Sequence, residues 1–300
     1  MDRASLMKKT AIIFSYNDGD LILSPLHSVL KSDVDQVFLL YGGENVSRGI
    51  DGIEDMRLIK VLEKERKGKV SALMSIVPNI CGDIVFLLSG DIIFDPLLIK
   101  KCEESFEGTT GVVTVRVIPS NSLSFTEKVA SLMWEMHDLQ LSIMSKRGSN
   151  VHAGEFLCVR KGLLRDLPEV INEDEFLCIK AANSGLSVKY LEDQQVHNFV
   201  PSNLVDLFQQ RRRVNFGHIE IEKIGWDPRI MDTLVFNETP LFLEIFSSFL
   251  KKKKWSVGTL FGAFSIEFLA NLSARMDSYF GKDHRKWIMV KRENSQKPSA

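Results

Sequence analysis

The sequence has few cysteines, no surplus of charge of one sign and no long hydrophobic run. Its four cysteines, Cys81, Cys102, Cys158 and Cys178, form no C-x-x-C pair, which argues against a zinc site or a disulfide framework and favours a cytoplasmic protein. A net charge of −1 provides no broad basic surface, so we expect no nucleic-acid partner. The first apolar run is too short for a signal peptide. Later runs are shorter than the roughly 20 residues that a membrane-spanning helix needs.

What the chain does contain is typical of a globular protein. Hydrophobic residues make up 44% of it and charged residues 26%, which is sufficient for a sizeable core. A length of 300 residues allows one large domain or a catalytic domain with an appendage.

Short apolar segments alternate with helical patterns along the first part of the chain. The pattern predicts strands at residues 11–14, 34–41, 56–61, 84–88 and 111–118, and helices at residues 21–30, 70–79 and 97–106. This alternation predicts βαβ units and therefore an α/β fold with a mostly parallel sheet. Further on, it predicts helices at residues 125–145 and 176–183 and strands at residues 156–159 and 187–191.

The most informative segment is the strand at residues 84–88 together with the turn that follows it. Five consecutive apolar residues indicate a strand that is buried on both faces. Ser89-Gly90-Asp91 comes next and places one carboxylate at the carboxyl end of a central strand, where open α/β sheets bind ligands. Such a carboxylate near a bound phosphate is well placed to hold a divalent cation. The alternative is that Asp91 caps a turn.

Polar motifs occur at four other positions along the chain. Ser15-Tyr16-Asn17 follows the first strand, and Lys67-Gly68-Lys69 precedes a helix, where ammonium and backbone N–H groups suit a nucleotide. Glu173-Asp174 opens another helix. Gln210 and Arg213 are spaced three residues apart, so one helical face presents both. Each motif also has an ordinary structural explanation: turn formation, a solvated lysine or helix capping.

Together with Ser89-Gly90-Asp91, these motifs occur in a characteristic order, and the chain resembles inverting family 2 glycosyltransferases over roughly residues 9–220. The resemblance implies a GT-A fold, which is a Rossmann-like, mostly parallel sheet flanked by helices, and dependence on a nucleotide-diphospho-sugar. Two positions depart from the family pattern. Ser89 replaces the first carboxylate of Asp-x-Asp, and Val214 replaces a Trp that usually follows the last Arg.

The resemblance implies a role for each motif residue. Asp91, with His197 as a further candidate, would hold Mn²⁺ or Mg²⁺ against the diphosphate. Asp174 would be the catalytic base that accepts the proton of the acceptor hydroxyl, with Glu173 beside it as the other candidate. The nucleotide-sugar would be bound by Ser15, Tyr16, Asn17, Lys67, Lys69, Ser89, Gly90, Gln210 and Arg213.

The expected activity is metal-dependent, inverting transfer of a sugar from a nucleotide-diphospho-sugar, such as GDP-mannose or a UDP-sugar, to a glycan hydroxyl or a lipid-linked acceptor. Two alternatives stay open. A sugar nucleotidyltransferase shares the nucleotide-binding sheet, but it should carry a Gly-rich basic loop after the first strand, which residues 15–20 do not provide. A non-catalytic nucleotide-sugar binding protein would be consistent with the missing Asp and Trp.

The composition of the chain changes near residue 240, where segments rich in Phe and Leu begin. We predict a catalytic domain at residues 8–235, an amphipathic helical C-terminal extension at residues 236–290 and a disordered tail at residues 291–300. The extension contains four consecutive lysines at residues 251–254, followed by Trp255. Such a cluster indicates peripheral contact with an anionic membrane on its cytoplasmic face. The other account is that these helices pack on the catalytic domain.

Overall fold

The centre of the protein is one seven-stranded sheet. The computed structural model describes residues 7–149, 152–252 and 254–284. The strands of the sheet are β1 (Lys9–Tyr16), β2 (Gln36–Gly42), β3 (Leu58–Glu63), β4 (Ile84–Ser89), β5 (Thr110–Pro119), β6 (Phe156–Arg160) and β7 (Ser187–Asn198). They lie side by side in the order β3-β2-β1-β4-β6-β5-β7.

The sheet is mostly parallel, as predicted. Among the described strands, β6 is antiparallel to both of its neighbours, while the other pairs are parallel. Parallel strands joined by crossover connections bring their carboxyl ends to one edge of the sheet. The polar segments that follow β1 and β4 therefore meet at the same edge.

Helices cover both faces of this sheet. In the described part of the chain they are α1 (Leu23–Leu30), α2 (Lys69–Ile76), α3 (Leu97–Glu104), α4 (Phe125–Lys146), α5 (Glu173–Asn183), α6 (Leu204–Lys223), α7 (Met231–Asn237), α8 (Thr239–Lys251) and α9 (Val257–Tyr279). On one face Ile12 packs with Leu73 and Leu177, and on the other face Ile13 packs with Leu26. Because neighbouring strand residues point to opposite faces, covering both faces explains the uninterrupted apolar strand segments.

Two element boundaries differ from the prediction in ways that affect the site. Helix α5 begins at Glu173 rather than at residue 176, so its first turn contains the acidic residues. Strand β7 continues to Asn198 because it pairs with β5 along that length. The disordered tail predicted at residues 291–300 lies outside the described residues, as does the end of the extension at residues 285–290.

The C-terminal helices pack on the sheet domain. Helix α9 lies against α6 and α4. Arg211 of α6 donates two hydrogen bonds to the carboxylate of Glu267 in α9, at 2.7 and 2.9 Å. Arg212 forms an ion pair with Asp277 at 2.5 Å. The predicted domain boundary at residue 235 falls within α7, and charged pairs anchor the helices beyond it.

The predicted basic cluster is partly engaged within the protein. Lys252 and Lys254 form ion pairs with Glu135 of α4, at 3.3 and 2.9 Å. Trp255 Nε1 donates a hydrogen bond to the same carboxylate at 3.0 Å. Part of the positive charge that we expected to face a membrane is thus paired with α4, which favours the packing account for these two lysines.

Helix α9 joins two apolar runs that Glu267 separates in the sequence. As one continuous helix of 23 residues, it is long and apolar enough to cross a membrane by length and composition, and no other described helix is. Each uncharged run is by itself as short as the sequence indicates, and only their union in α9 reaches this length. Its ion-paired side faces α6, while Phe261 and Phe268 on its surface are 73% and 61% exposed.

Candidate active site

A cavity of about 1250 Å³ opens at the carboxyl ends of β1 and β4. Its lining includes the ends of both strands, the first turn of α5 and one side of α6. From there it extends between α4 and the C-terminal helices α7, α8 and α9. Sites for a single small ligand usually have volumes of roughly 300–1,000 Å³, so this cavity has room for two substrates.

The turn after β4 brings one carboxylate into the cavity. Ser89 Oγ donates a hydrogen bond to Glu155 Oε2 at 2.7 Å, and Asp91 lines the cavity. Between them, a Cβ built on Gly90 would lie 2.8 Å from the carbonyl oxygen of Phe14 and 2.7 Å from Asp18 Oδ2. Glycine is required at this position because the ends of β1 and β4 approach too closely for a side chain.

The substitution Gly90→Ala should therefore destabilise the protein and displace the turn that presents Asp91. We expect a loss of about 1–3 kcal/mol in the free energy of unfolding, the usual cost of overpacking, together with weaker nucleotide binding. Chemical denaturation and titration with GDP or UDP would measure both effects.

A matched control for this variant is Gly82→Ala. A Cβ on Gly82 would lie 2.6 Å from the backbone nitrogen of Thr10, but Gly82 does not line the cavity. This control should lose stability while keeping nucleotide affinity. An equal loss of affinity in both variants would contradict a direct role for the turn.

The first carboxylate of α5, Glu173, neutralises a lysine of the cavity. Lys69 forms an ion pair with Glu173, and its Nζ lies 4.9 Å from the centroid of the Phe14 ring. Burial by itself would lower the pKa of Lys69, but the carboxylates of Glu173 and Asp174 outweigh burial and raise it. Lys69 is therefore held in the cavity as a cation.

The second carboxylate, Asp174, has the properties of a base. It lines the cavity, and burial raises its pKa from 3.8 to about 7, with the charge of Glu173 adding to the rise and Lys69 opposing it. A carboxyl group whose pKa lies near neutrality suits proton transfer at physiological pH.

The third carboxylate, Glu175, is held ionised by two histidines. His218 Nδ1 lies 2.6 Å from its Oε2 and His152 Nδ1 lies 3.2 Å from its Oε1. Burial by itself would raise the pKa of Glu175, but these contacts lower it to about 2. Asp174 and Glu175 thus have pKa values that their environments push apart, which identifies Asp174 as the group able to exchange a proton.

Two arginines add positive charge to the same cavity. The guanidinium of Arg66 lies 4.3 Å from the centroid of the Tyr16 ring, and Arg213 reaches the cavity from α6. Burial lowers the pKa of both side chains, and in Arg66 the charge of Arg213 lowers it further. With Lys69 they form a cationic region suited to a diphosphate.

The residues around Asp91 fit a divalent cation that is shared with a substrate. Within the described ranges, no three His, Cys, Asp or Glu side chains come together as a metal cluster. Asp91 lines the cavity, and Asp18, beside Gly90, accepts a hydrogen bond from the Tyr16 backbone at 3.1 Å. Mg²⁺ commonly takes one or two carboxylates from a protein and its other oxygens from phosphates and water. A cation at Asp91 would therefore depend on the diphosphate.

The comparison with protein families decides where this chain belongs. The model described as Glycosyltransferase like family 2 matches residues 9–217, a span that includes the Ser89-Gly90-Asp91 turn, Asp174 and Arg213. The chain is a family 2 glycosyltransferase. A search of curated protein sequences finds no match to this glycosyltransferase.

Solved structures share the fold of the glycosyltransferase. The mannosyltransferase PcManGT from Pyrobaculum calidifontis, in complex with GDP-Man and Mn²⁺, has a TM-score of 0.65 and 17% identity over 94% of this chain and 90% of its own. Glucosyl-3-phosphoglycerate synthase from Mycobacterium tuberculosis, in complex with Mn²⁺, UDP and phosphoglyceric acid, has a TM-score of 0.52 and 16% identity over 73% and 79%. These similarities confirm the predicted GT-A fold.

Most of the predicted site residues of the glycosyltransferase line one cavity: Ser15, Tyr16, Lys69, Ser89, Gly90, Asp91, Glu173, Asp174, Gln210 and Arg213. Asn17, Lys67 and His197 do not. The main chain of His197 pairs with Ile93, two residues after Asp91, so His197 shares the sheet edge of Asp91 without facing the cavity.

The other two residues have structural reasons for lying elsewhere. Asn17 has a positive φ of 64°, and its Oδ1 accepts a hydrogen bond from the backbone of Asn45 at 3.0 Å, so its side chain ties the turn after β1 to the loop after β2. Lys67 is exposed. The neighbouring Arg66 lines the cavity at the position that we predicted for Lys67.

Several cavity residues were missed by the sequence reasoning. Arg66 directly precedes the predicted Lys67-Gly68-Lys69 motif, and Glu155 lies in a polar segment before β6, so both had a local signal. His152, Glu175 and His218 had no local signal of a shared cluster, because they come together only when α5, α6 and the loop before β6 pack.

Proposed function

We propose that this glycosyltransferase moves a sugar from a nucleotide-diphospho-sugar to an acceptor with inversion at the anomeric carbon, and that Asp174 is the base. The observation that carries the proposal is a cavity-lining carboxyl group with a pKa of about 7 in the same cavity as Arg66, Lys69 and Arg213. A base and a cationic region are the two elements that transfer from a diphosphate to a hydroxyl requires.

The reaction assigns a different task to each group. The acceptor oxygen forms a bond to the anomeric carbon while Asp174 takes its proton, and the nucleoside diphosphate leaves from the opposite face. Glu173 is engaged by Lys69, so we assign it to positioning that lysine rather than to proton transfer. Lys69, Arg66 and Arg213 stabilise the negative charge that develops on the departing diphosphate.

The donor is a GDP-sugar or a UDP-sugar in this proposal. The ring of Tyr16, backed by Arg66 at 4.3 Å, offers an aromatic face to the nucleoside, while Ser15 and Gly90 line the same end of the cavity. Support for these donors comes from the two solved structures, which contain GDP-Man and UDP.

A divalent cation is part of the proposal. Asp91 would hold Mn²⁺ or Mg²⁺ together with the diphosphate, whereas His197, the other candidate from the sequence, does not line the cavity. When bound, the cation supplies positive charge that stabilises the leaving group. Both solved structures contain Mn²⁺.

Release of nucleoside diphosphate from GDP-mannose and UDP-sugars by the purified protein, with Mn²⁺ present, tests the proposal. We expect release of GDP or UDP from at least one donor, and faster release when an acceptor is added. Tight binding without release would support a non-catalytic binding protein instead. Formation of pyrophosphate from a nucleoside triphosphate and a sugar phosphate would support a sugar nucleotidyltransferase.

The pH dependence of the reaction follows from the pKa of Asp174. Only the ionised carboxylate can accept a proton, so kcat/KM should rise about tenfold per pH unit below pH 7 and level off above it. Rates measured with a hydroxyl acceptor from about pH 5 to pH 9 would show this. A profile that is flat through pH 7 would contradict a base with the pKa of about 7 found for Asp174.

A further inference from the structure

The two ends of the cavity differ in chemistry. Arg66, Lys69 and Arg213 supply positive charge at the donor end. The lining contributed by α4, α8 and α9, here called the apolar arm, is formed largely by hydrophobic side chains: Met133, Met136, Phe242, Phe246, Phe264 and Phe268. Since both parts belong to one cavity, a molecule held in the apolar arm can reach Asp174.

Within the part of the chain that the structure describes, hydrophobic side chains of the apolar arm remain exposed. Phe264 is 75% exposed and Phe268 is 61% exposed, although both line the cavity. Exposed aromatic residues that cluster in a concave site typically mark a surface that binds another apolar molecule. The arm therefore suits a hydrophobic occupant.

Polar groups along the apolar arm are engaged with one another. Asn271 Nδ2 donates to Asp232 Oδ2 at 2.6 Å, and Arg275 Nε donates to Asn271 Oδ1 at 2.8 Å. Glu267 accepts hydrogen bonds from Arg211 at 2.7 and 2.9 Å. Because these pairs satisfy each other, the main contact that the arm offers to a ligand is hydrocarbon rather than hydrogen bonding.

We infer that the acceptor is an amphiphile, whose reacting hydroxyl or phosphate lies at Asp174 and whose alkyl or isoprenoid chain occupies the apolar arm. The inference rests on the proposed function and names the acceptor class that the proposal leaves open. The observation that supports this inference is that the apolar arm and Asp174 line a single cavity.

The length of the alkyl chain on a bound probe is the variable that tests this inference. Burial of each methylene lowers Kd about fourfold, so two added methylenes should tighten binding about 15-fold until the arm is filled. The probes are hexyl, octyl and decyl glucosides and the corresponding alkyl phosphates, all used below their micelle concentrations. Trp134 lines the cavity, so fluorescence reports binding, and comparison of the two series shows which head group the site prefers.

Matched variants of α9 separate the apolar arm from the outer surface of the helix. Phe264→Gln and Phe268→Gln change exposed side chains that line the cavity, so the fold should persist while decyl-chain binding weakens about tenfold. Phe261→Gln is the control, because Phe261 is 73% exposed on the same helix but does not line the cavity. It should bind the decyl probes like the unmodified protein.

Three results would overturn the inference. The first is affinity that does not depend on chain length, the second is equal weakening by Phe261→Gln, and the third is tighter binding of maltotriose than of decyl glucoside. Titration with GDP or UDP and Mn²⁺ is run in parallel. Intact nucleotide binding with chain-independent probe binding refutes the amphiphilic acceptor but leaves the proposed function standing, whereas absent nucleotide binding refutes the proposed function itself.

Discussion

Asp174→Asn should reduce sugar transfer by about 10²–10⁴-fold, the usual contribution of a positioned general base. The amide has nearly the same shape as the carboxylic acid but cannot accept the acceptor proton. Nucleotide affinity should stay within a few-fold of the unmodified value, because Lys69, Arg66 and Arg213 are unchanged. Transfer rates under saturating donor and calorimetric titration with GDP or UDP would measure the two effects separately.

The control for this variant is Glu169→Gln, which neutralises an exposed carboxylate in the loop before α5. It should change neither transfer nor binding. Near-normal transfer by Asp174→Asn to a neutral hydroxyl acceptor would rule out the base role. A much smaller loss with an alkyl phosphate than with an alkyl glucoside would show that the acceptor is already an anion, which needs no base.

The same substitution should make the protein more stable, with an effect that depends on pH. The pKa of Asp174 rises from 3.8 to about 7 in the folded protein. As pH increases through this window the unfolded chain loses its proton while the folded protein keeps it, so the folded state loses stability and the penalty is complete above about pH 7. Removing the carboxyl group removes that penalty, which can reach a few kcal/mol at about 1.4 kcal/mol per pKa unit.

Melting temperatures near pH 5 and near pH 8 would test this expectation. The increase in melting temperature of Asp174→Asn over the unmodified protein should be larger at the higher pH. A gain that is equal at both values would show that Asp174 is ionised throughout, which would argue against its raised pKa.

Asp91→Asn should abolish the metal-dependent part of donor binding while leaving the fold intact. Asp91 is the carboxylate that the turn after β4 presents to the cavity, and Ser89 stands where the family usually has a second one. Loss of several kcal/mol of metal-mediated stabilisation corresponds to binding weaker by on the order of 100-fold. Calorimetry with GDP or UDP, with and without Mn²⁺, would show whether the metal still improves affinity.

Asp95→Asn provides the comparison for Asp91→Asn. Asp95 follows on the same segment, is exposed, and accepts a hydrogen bond from the Leu97 backbone at 2.8 Å. The amide oxygen of Asn can accept the same hydrogen bond, so this variant should keep both stability and metal-dependent binding. If Mn²⁺ still improved affinity in Asp91→Asn by the same factor, the metal assignment would be wrong.

Much of the fold and part of the site were predictable because their signals are local. An apolar strand that ends in Ser89-Gly90-Asp91 specifies a buried strand and the edge at which its carboxylate lies. The same argument placed Ser15 and Tyr16 at the end of β1. It was less successful in the loop before α2, where Arg66 rather than Lys67 reaches the cavity. A loop has no regular side-chain periodicity, so the sequence does not indicate which of two neighbouring side chains points toward the protein.

The sequence by itself determined the order of strands and helices, the mostly parallel sheet and the edge of the sheet where Asp91 lies, because strand burial and crossover connections follow from local periodicity. Only the tertiary structure decided how three consecutive carboxylates differ. Glu173 pairs with Lys69, Glu175 pairs with two histidines, and Asp174 is left with a pKa of about 7. The physical reason is that burial and partner charges set these properties, and the partners come from α2, α6 and the loop before β6, which are distant in the chain and adjacent only after folding.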